Sequence, residues 1–411
     1  MTSSGPLVGS SFYYRDNGEP IVFSSGKGGY VIDDRGDQYI DFILGVGPVV
    51  IGHGDEEFNE TVCRYCSKGV NLPSYADVHY EYADQLMAGS PGGHKVIVFT
   101  KTASEAVAFG LRLAAIETGK LGVIRCGYLG QADVAIGKSI RWHEPLHSGL
   151  RLGQKLKFGC RGIGSDEPVF DWTDLDLETL ADLIDGNNRV IGALAIDAQQ
   201  FVFIGEDKFA GILACLDGRN IKLLIDETKT AGRHGPRGYF DSFGAKIDYS
   251  VLGKAIGNGA PIAALTGDGG KIELYRTAKI GGTHSKEVYG AAAGLATLEI
   301  MQARNGYAKL PRIVENVCGS FNDAIAAANL EKLIEVRSGL GSTIFELIFS
   351  EPLLDDSARR ASVQKSLQRS GILVMEGHCS FACLAHELLE PTELLERTKR
   401  ALIECKDWAS A

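Results

Sequence analysis

Two residues of the sequence, Asp226 and Lys254, have the chemical types and surroundings needed to hold a pyridine aldehyde. Asp226 ends the apolar run of LLIDETKTAGR, and Lys254 lies in the glycine-rich segment SVLGKAIGNGAPIAALTG. A lysine amine can hold pyridoxal phosphate as a Schiff base, and a carboxylate beside the pyridine nitrogen keeps that nitrogen protonated. A lysine buried among small residues is also unusual unless it is paired or covalently bound. The two residues therefore predict a pyridoxal 5′-phosphate site. The alternatives are a helix cap or a metal ligand for Asp226 and a surface loop for Lys254.

Four more residues are candidates for contacts with such a cofactor. In FTKTASEAVAFG an apolar run is followed by small polar residues and a helical pattern. Thr102, Ala103 and Ser104 would then lie at a helix N-terminus, which binds phosphate well. The alternative is an ordinary helix cap, with Ser104 as N-cap and Glu105 in the first turn. Tyr128 follows another apolar run and either offers an aromatic face to the ring or is an ordinary core tyrosine.

The elements that position these residues alternate between short apolar runs and helical patterns. KVIVFT, LGVIRC, RVIGALAID and IKLLID have the composition of buried strands, and helical segments lie among them. This alternation predicts an α/β fold with a mostly parallel central sheet flanked by helices. Because ligands bind at the carboxyl ends of parallel strands, we expect Thr102, Tyr128, Asp197 and Asp226 at one crevice.

Three parts of the chain differ in their pattern. Residues 1–55 contain a predicted hairpin, GGYVIDDRGDQYIDFI, and are expected to pack with a small domain. Residues 56–309 are predicted to form the large cofactor-binding domain, and residues 310–411 a smaller α+β domain. The segment between His143 and Val169, rich in Gly, His and Arg, is predicted to be an irregular loop that could border the site.

The composition is that of an enzyme-sized globular protein. The chain has 411 residues, of which 45% are hydrophobic and 23% charged, with a formal net charge of −10. No Lys/Arg-rich block is present, which argues against nucleic-acid binding. Nine scattered cysteines, with one CxxC spacing at Cys63 and Cys66, favour reduced thiols over a zinc site. Since neither a signal-peptide pattern nor an apolar run of about 18 residues occurs, we expect a cytoplasmic protein that does not contact a membrane.

Six motifs, in order along nearly the whole chain, resemble the class III pyridoxal-phosphate aminotransferases, especially glutamate-1-semialdehyde aminomutase and its relatives. They are GPVVIGHG, TASEA, YLG, DETKTAGR, LGKAIGNG and GGTHSKEVYGAAAGLATLEIM. The resemblance implies the fold type I architecture of these enzymes, with a large and a small domain. It also implies that Lys254 is the Schiff-base lysine and proton shuttle and that Asp226 is the pyridinium partner.

The resemblance implies the remaining cofactor contacts as well. Ala103 and Ser104 match positions that hold the phosphate, and Tyr128 matches the aromatic residue that stacks on the ring. Thr228 would lie under the opposite face of the ring. Thr283, in GGTHS, matches a threonine that reaches the phosphate of the neighbouring subunit. A homodimer with shared active sites is therefore expected.

The chain also departs from the family pattern near the expected cofactor. Lys101 replaces the usual asparagine, Ala103 replaces a glycine, and Lys229 stands where relatives carry glutamine or methionine near the cofactor hydroxyl. Asp197-Ala198 stands in place of a Glu-Pro pair. These differences predict altered contacts with the phosphate, the ring and the substrate.

The reaction implied by the resemblance is transfer of an amino group from an amine donor to a carbonyl acceptor. Arg233 is expected to be structural rather than substrate-binding. An acceptor without a carboxylate, such as an amino-sugar or aminoglycoside-like intermediate of antibiotic biosynthesis, is therefore one interpretation. Two alternatives remain, an aminomutase or epimerase that uses the same lysine and carboxylate, and a catalytically silent dimeric relative. His53 is expected to be a hydrogen-bonded structural histidine.

Overall fold

The computed structural model describes residues 13–130, 169–239, 247–339, 342–350, 353–354, 356–375 and 377–403. Fourteen strands lie in these ranges. They are β1 (Phe23–Lys27), β2 (Tyr30–Asp33), β3 (Gln38–Asp41), β4 (His94–Thr100), β5 (Gly122–Cys126), β6 (Val169–Asp171), β7 (Ile191–Asp197), β8 (Lys222–Asp226), β9 (Tyr249–Leu252), β10 (Ala263–Asp268), β11 (Ile334–Ser338), β12 (Ile344–Phe349), β13 (Ile372–Leu373) and β14 (Ser380–Phe381).

Ten α-helices lie in the same ranges. They are α1 (Glu56–Cys66), α2 (Asp77–Leu86), α3 (Ala103–Thr118), α4 (Leu177–Gly186), α5 (Phe201–Leu216), α6 (Ile272–Thr277), α7 (Val288–Ala303), α8 (Gly306–Ala327), α9 (Ser357–Arg369) and α10 (Pro391–Ile403). None of the described helices is long and apolar enough to cross a membrane.

A seven-stranded sheet in the order β4-β10-β9-β8-β7-β5-β6 positions the site. The pairs from β6 to β9 are parallel, and β10 runs antiparallel to both β4 and β9. Every residue of β7 is buried, as expected of a strand covered by helices on both faces. The predicted α/β fold with a mostly parallel sheet is confirmed. Because β4 runs in the same direction as the parallel strands, their carboxyl ends share one edge.

Two smaller sheets connect the ends of the chain. The predicted hairpin is present as β2 and β3, and β1 extends it to one side. On the other side β13 pairs in parallel with β3, with Ile372 opposite Ile40. Strands β11, β12 and β14 form a separate antiparallel sheet. The predicted domain boundaries at 55 and 309 remain predictions.

The N-terminal segment and the C-terminal part of the chain share one hydrophobic core. Phe42 is fully buried, and its ring centroid lies 5.8 Å from that of Phe321 and 5.3 Å from that of Phe345. Truncating a buried phenylalanine to alanine typically costs about 3–5 kcal/mol of folding free energy. These contacts therefore fix the segment after β3 against the C-terminal elements, on one side of the central sheet's ligand edge.

Two expectations from the sequence concern the loop before β6 and the cysteines. The predicted loop between His143 and Val169 lies outside the described residues, except that β6 begins at Val169. All seven cysteines of the described ranges are free thiols. The same ranges contain no group of three or more His, Cys, Asp or Glu side chains that could hold a metal ion.

Candidate active site

A cavity of about 280 Å³ lies at the carboxyl edge of the central sheet. Seven of the eight residues predicted to bind the cofactor line it, namely Thr102, Ala103, Ser104, Tyr128, Asp226, Thr228 and Lys254. The eighth, Thr283, is exposed and does not line the cavity of its own chain. The sheet topology thus brings residues from four separate strand ends to one place.

Lys254 lies in a turn whose unusual backbone conformation is stabilised by contacts with another segment of the chain. Its φ of 50° lies in the left-handed region, which is uncommon for a residue with a side chain. Asn258, which closes this turn, accepts hydrogen bonds from the N–H groups of Val50 and Ile51 through Oδ1, both at 2.9 Å. Burial and then the nearby Lys229 lower the pKa of Lys254 to about 8. A sizeable fraction of the amine is therefore neutral near physiological pH.

Asp226 is the last residue of β8 and is only 3% exposed. Its Oδ1 accepts hydrogen bonds from the backbone N–H of Thr228, at 2.9 Å, and from the Thr228 hydroxyl. Burial, followed by the nearby Asp197, raises the pKa of Asp226 to about 7. No ion pair to this carboxylate exists within the described residues. A cationic group in the cavity would offset the cost of burying it.

Asp197 and Lys229 form a buried ion pair beside Asp226. Lys229 Nζ lies 2.7 Å from Asp197 Oδ2, and the two side chains are 3% and 2% exposed. Asp197 ends β7 and lies opposite Asp226 in the register of the parallel strands. Burial acts to lower the pKa of Lys229, but Asp197, Cys379 and Asp226 together outweigh it and the net shift is upward. The Lys229 ammonium also lies 5.3 Å from the ring centroid of Tyr128.

The N-terminus of α3 faces the cavity, and its cap differs from the predicted one. Thr102, not Ser104, is the N-cap: its hydroxyl accepts a hydrogen bond from the Glu105 N–H at 3.3 Å. The Glu105 carboxylate in turn accepts one from the Thr102 N–H at 2.9 Å, which completes a capping box. Glu105 lies in the first turn, as expected. Ser104 is instead packed against Gly130, where an added Cβ would lie 2.6 Å from Ser104 Oγ.

Lys101 adds a positive charge at the same end of the cavity. Its ammonium forms an ion pair with Glu287, and its side chain is 21% exposed. Glu287 is itself the N-cap of α7 and accepts a hydrogen bond from the Gly290 N–H at 2.9 Å. Lys101, one of the two lysines that depart from the family pattern, is therefore anchored to a helix terminus.

Arg233 and His53 serve the surrounding framework. The Arg233 guanidinium is buried and donates hydrogen bonds to the carbonyls of Ala382, Gly47 and Val49, at 2.7, 2.8 and 3.2 Å. It does not line the cavity. His53 Nε2 lies 2.9 Å from Asp41 Oδ2. Both geometries agree with the structural roles expected from the sequence.

Two contributors to the site were missed at the sequence level. Asn258 holds the Lys254 turn to the segment after β3, and the ring centroid of Phe381 lies 5.8 Å from Lys254 Nζ. Asn258 carries a local signal, because asparagine tolerates the left-handed conformation that it adopts here, with φ of 44°. Phe381 has no such local sequence signal, since it belongs to β14, which is far from Lys254 along the chain.

The chemistry of these groups fits pyridoxal phosphate. The Lys254 amine suits an aldehyde, and the buried carboxylate of Asp226, which has no ion pair in the described part of the chain, suits a protonated ring nitrogen. The N-terminus of the sixteen-residue helix α3 suits a phosphate, and Tyr128 supplies an aromatic face. The cavity is close to the lower size limit of typical small-ligand sites, about 300 Å³.

Comparisons with known proteins agree with this chemistry. A family model described as aminotransferase class-III matches residues 13–397. Glutamate-1-semialdehyde 2,1-aminomutase of Roseiflexus castenholzii is 26% identical over 391 residues, which cover 90% of this chain and 87% of that protein. Among solved structures, a transaminase with PLP bound has a TM-score of 0.79 at 20% identity, covering 97% of this chain and 94% of the other. An omega-transaminase from Sphaerobacter thermophilus has a TM-score of 0.80 at 19% identity, covering 97% and 93%.

The structural similarities establish the fold, which is that of the fold type I pyridoxal-phosphate enzymes and confirms the predicted architecture. The family model covers nearly the whole chain. The protein therefore belongs to the class III aminotransferases and is a transaminase that depends on pyridoxal 5′-phosphate.

Proposed function

We propose that this transaminase moves an amino group from an amine donor to a carbonyl acceptor, with Lys254 and Asp226 as its catalytic residues. The observation that carries the proposal is that these two groups line one cavity with pKa values shifted toward each other, to about 8 and about 7. Such paired shifts in a cleft are typical of catalytic sites. When bound, pyridoxal phosphate supplies an aldehyde and an electron-withdrawing pyridine ring.

Lys254 would act first as the residue that holds the cofactor and then as a base. Its neutral Nζ can form the covalent link to the aldehyde carbon. When it is not linked to the cofactor, Lys254 Nζ would take a proton from the donor carbon and release it again, and the bound cofactor would supply the electron-withdrawing ring that makes this proton acidic. A pKa near 8 suits both halves of this step, because the group accepts and releases a proton near neutral pH.

The other residues would bind and orient the cofactor. Asp226 would keep the pyridine nitrogen protonated, and Tyr128 and Thr228 would contact the two faces of the ring. The N-terminus of α3, at Thr102, Ala103 and Ser104, would hold the phosphate.

A second subunit completes the proposed site. Thr283 is exposed and lies away from the cavity of its own chain, which supports a contact with the phosphate bound by a neighbouring subunit. We propose a cytoplasmic homodimer in which each site combines Lys254 of one chain with Thr283 of the partner subunit. Chains that carry only Lys254→Ala or only Thr283→Ala should each form defective homodimers. Mixed dimers should regain one intact site each, whereas unchanged activity on mixing would argue against shared sites.

The acceptor we propose lacks an α-carboxylate and is an amino-sugar or aminoglycoside-like intermediate of antibiotic biosynthesis. Arg233 is held by three backbone carbonyls, and no arginine lines the cavity within the described residues. A bidentate arginine is the usual partner of a substrate carboxylate.

A second candidate function, that of an aminomutase or epimerase, is favoured by the similarity to the Roseiflexus aminomutase. A catalytically silent dimeric relative is a third, and the retained Lys254 and Asp226 count against it.

The decisive experiment replaces Lys254 with alanine. Lys254→Ala should lose turnover and the visible absorbance of the bound cofactor. The matched control is Lys279→Ala, because Lys279 has nearly the same backbone conformation, with φ of 48° against 50°, but is exposed and outside the cavity. Normal turnover in Lys254→Ala would refute the assignment.

A panel of amines then separates the candidate reactions. Release of a keto product from an added amine, with conversion of the cofactor to its amine form, identifies transamination. Reaction with amines that lack a carboxylate supports the amino-sugar proposal. Turnover confined to glutamate-1-semialdehyde-like compounds, without release of a keto product, identifies the aminomutase. A purified chain that stays colourless with added cofactor identifies the silent relative.

A further inference from the structure

The buried ion pair of Lys229 and Asp197 has no role in the steps described so far. Both side chains are at most 3% exposed, and their charged atoms lie 2.7 Å apart. Such a pair is a poor source of stability, because removing two charges from water costs about as much as their attraction returns. Apolar side chains of similar volume would pack at least as well. The position of the pair beside the cavity instead suggests an electrostatic role.

The pair holds its positive charge in a fixed place. Asp197 Oδ1 accepts a hydrogen bond from the Gln199 N–H at 3.1 Å, and Oδ2 accepts one from the Tyr128 N–H at 3.4 Å. The sheet register also fixes Asp197 directly opposite Asp226. Because the carboxylate is anchored by backbone groups on two sides, the Lys229 ammonium bound to it is anchored as well.

A fixed ammonium at this place acts on both proposed catalytic groups in the useful direction. It repels a proton from Lys254 and stabilises the carboxylate form of Asp226. Burial and then Lys229 lower the pKa of Lys254 to about 8. Burial and then Asp197 raise the pKa of Asp226 to about 7, and Thr228 and Lys229 oppose that rise. One cation thus favours the neutral amine and the charged carboxylate together.

The other titratable groups around the two lysines do not provide this effect. Burial raises the pKa of the Cys379 thiol, so it is uncharged near neutral pH. Burial lowers the pKa of His378 to about 4, with both lysines acting in the same direction, so its imidazole is also uncharged. The carboxylates act on Lys254 in the opposite sense and more weakly than Lys229 does.

We propose that Lys229 is a positioning residue that shifts Lys254 toward its neutral form and Asp226 toward its ionised form, with Asp197 as the anchor of its ammonium. This role rests on the functions proposed above for Lys254 and Asp226. It assigns a task to the lysine that replaces the glutamine or methionine of related sequences, without requiring that Lys229 touch the substrate.

The test measures the titration of the Lys254 amine directly. Full-length protein freed of cofactor is labelled with a trace of acetic anhydride over a series of pH values, and the acetylated Lys254 peptide is quantified by mass spectrometry. Lys229→Met should raise the titration midpoint of Lys254 by roughly one pH unit, the size expected when a nearby like charge is removed. Lys229→Arg retains the charge and should leave the midpoint near that of the wild type. Lys101→Met removes a lysine that lines the cavity and pairs with Glu287, and it should also leave the midpoint unchanged.

A double variant keeps the test valid if Lys229→Met alone fails to fold. Asp197→Asn with Lys229→Met removes both charges, so position 197 does not keep a buried carboxylate that has lost its partner. Its Lys254 midpoint should still exceed that of the wild type, because Lys229 outweighs Asp197 at this position. The proposal would be overturned if the Lys254 midpoint were unchanged in every folded variant without a positive charge at position 229. It would also be overturned if Lys229→Arg shifted the midpoint as much as Lys229→Met does. Its failure is distinct from that of the proposed function, which Lys254→Ala tests through cofactor absorbance and turnover.

Discussion

Asp197 and Asp226 lie side by side at the carboxyl ends of two adjacent parallel strands, yet among the described residues only Asp197 has a cationic partner. Lys229 lies 2.7 Å from Asp197, whereas Asp226 has no ion pair within the described part of the chain. Burial, followed by repulsion from the adjacent Asp197, raises the pKa of Asp226 to about 7. Asp226 is therefore the carboxylate that gains most from a cationic ligand, as a protonated pyridine nitrogen would be.

The first prediction concerns the charge of Asp226. Asp226→Asn keeps the shape of the side chain and the oxygen that Thr228 contacts, but it loses the negative charge. Because a neutral amide does not stabilise a protonated ring nitrogen, turnover should fall by roughly 10²-fold or more while the cofactor stays bound. Steady-state rates and the visible spectrum check this. Glu227→Gln is the matched control, because Glu227 is the adjacent buried carboxylate and does not line the cavity. Equal losses in both variants would contradict a specific role for Asp226.

The second prediction concerns pH. The pKa of Lys254 is lowered to about 8, so the amine is mostly protonated below that pH and mostly neutral above it. Only the neutral amine attacks an aldehyde. The rate at which cofactor-free protein captures pyridoxal phosphate should therefore rise with pH and reach half its maximum near pH 8. Stopped-flow absorbance over a range of roughly pH 6 to 10 measures it. A midpoint near the ordinary value for lysine would show that Lys254 is not perturbed in solution.

The third prediction separates structural from substrate-binding roles of Arg233. Arg233→Met leaves three buried carbonyls without their donor, so the free energy of unfolding should fall by roughly 3–5 kcal/mol. Urea denaturation measures this loss. The preference between donors with and without a carboxylate should not change in the folded fraction. A stable variant that loses only its affinity for carboxylate donors would instead make Arg233 a substrate-binding residue.

The site was predictable where local patterns and sheet topology decide it. Asp226 and Tyr128 follow apolar runs that form parallel strands, and parallel strands bring their carboxyl ends to one edge. The cap was also predictable, because T-A-S-E is a capping-box pattern that favours Thr102 over Ser104. The contacts of Phe381 with Lys254 were not, since they depend on how distant segments pack. The Lys229–Asp197 pair was not predicted either, because the topology brings both residues to one edge without deciding which side chains there pair.

The last prediction uses two glycines with the same backbone and different surroundings. Gly130 and Gly36 have φ values of 93° and 90°, so an alanine at either position costs similar backbone strain. A Cβ at Gly130 would lie 2.6 Å from Ser104 Oγ, whereas nothing lies within 4 Å of one at Gly36. Gly130→Ala should displace the start of α3 and raise the dissociation constant of pyridoxal phosphate about tenfold, or about 1.4 kcal/mol. Gly36→Ala should lose only the stability that the backbone strain costs and bind the cofactor normally. Equilibrium dialysis and thermal unfolding of both variants measure the two effects separately, and equal cofactor affinity in the two would show that Ser104 does not help to hold the phosphate.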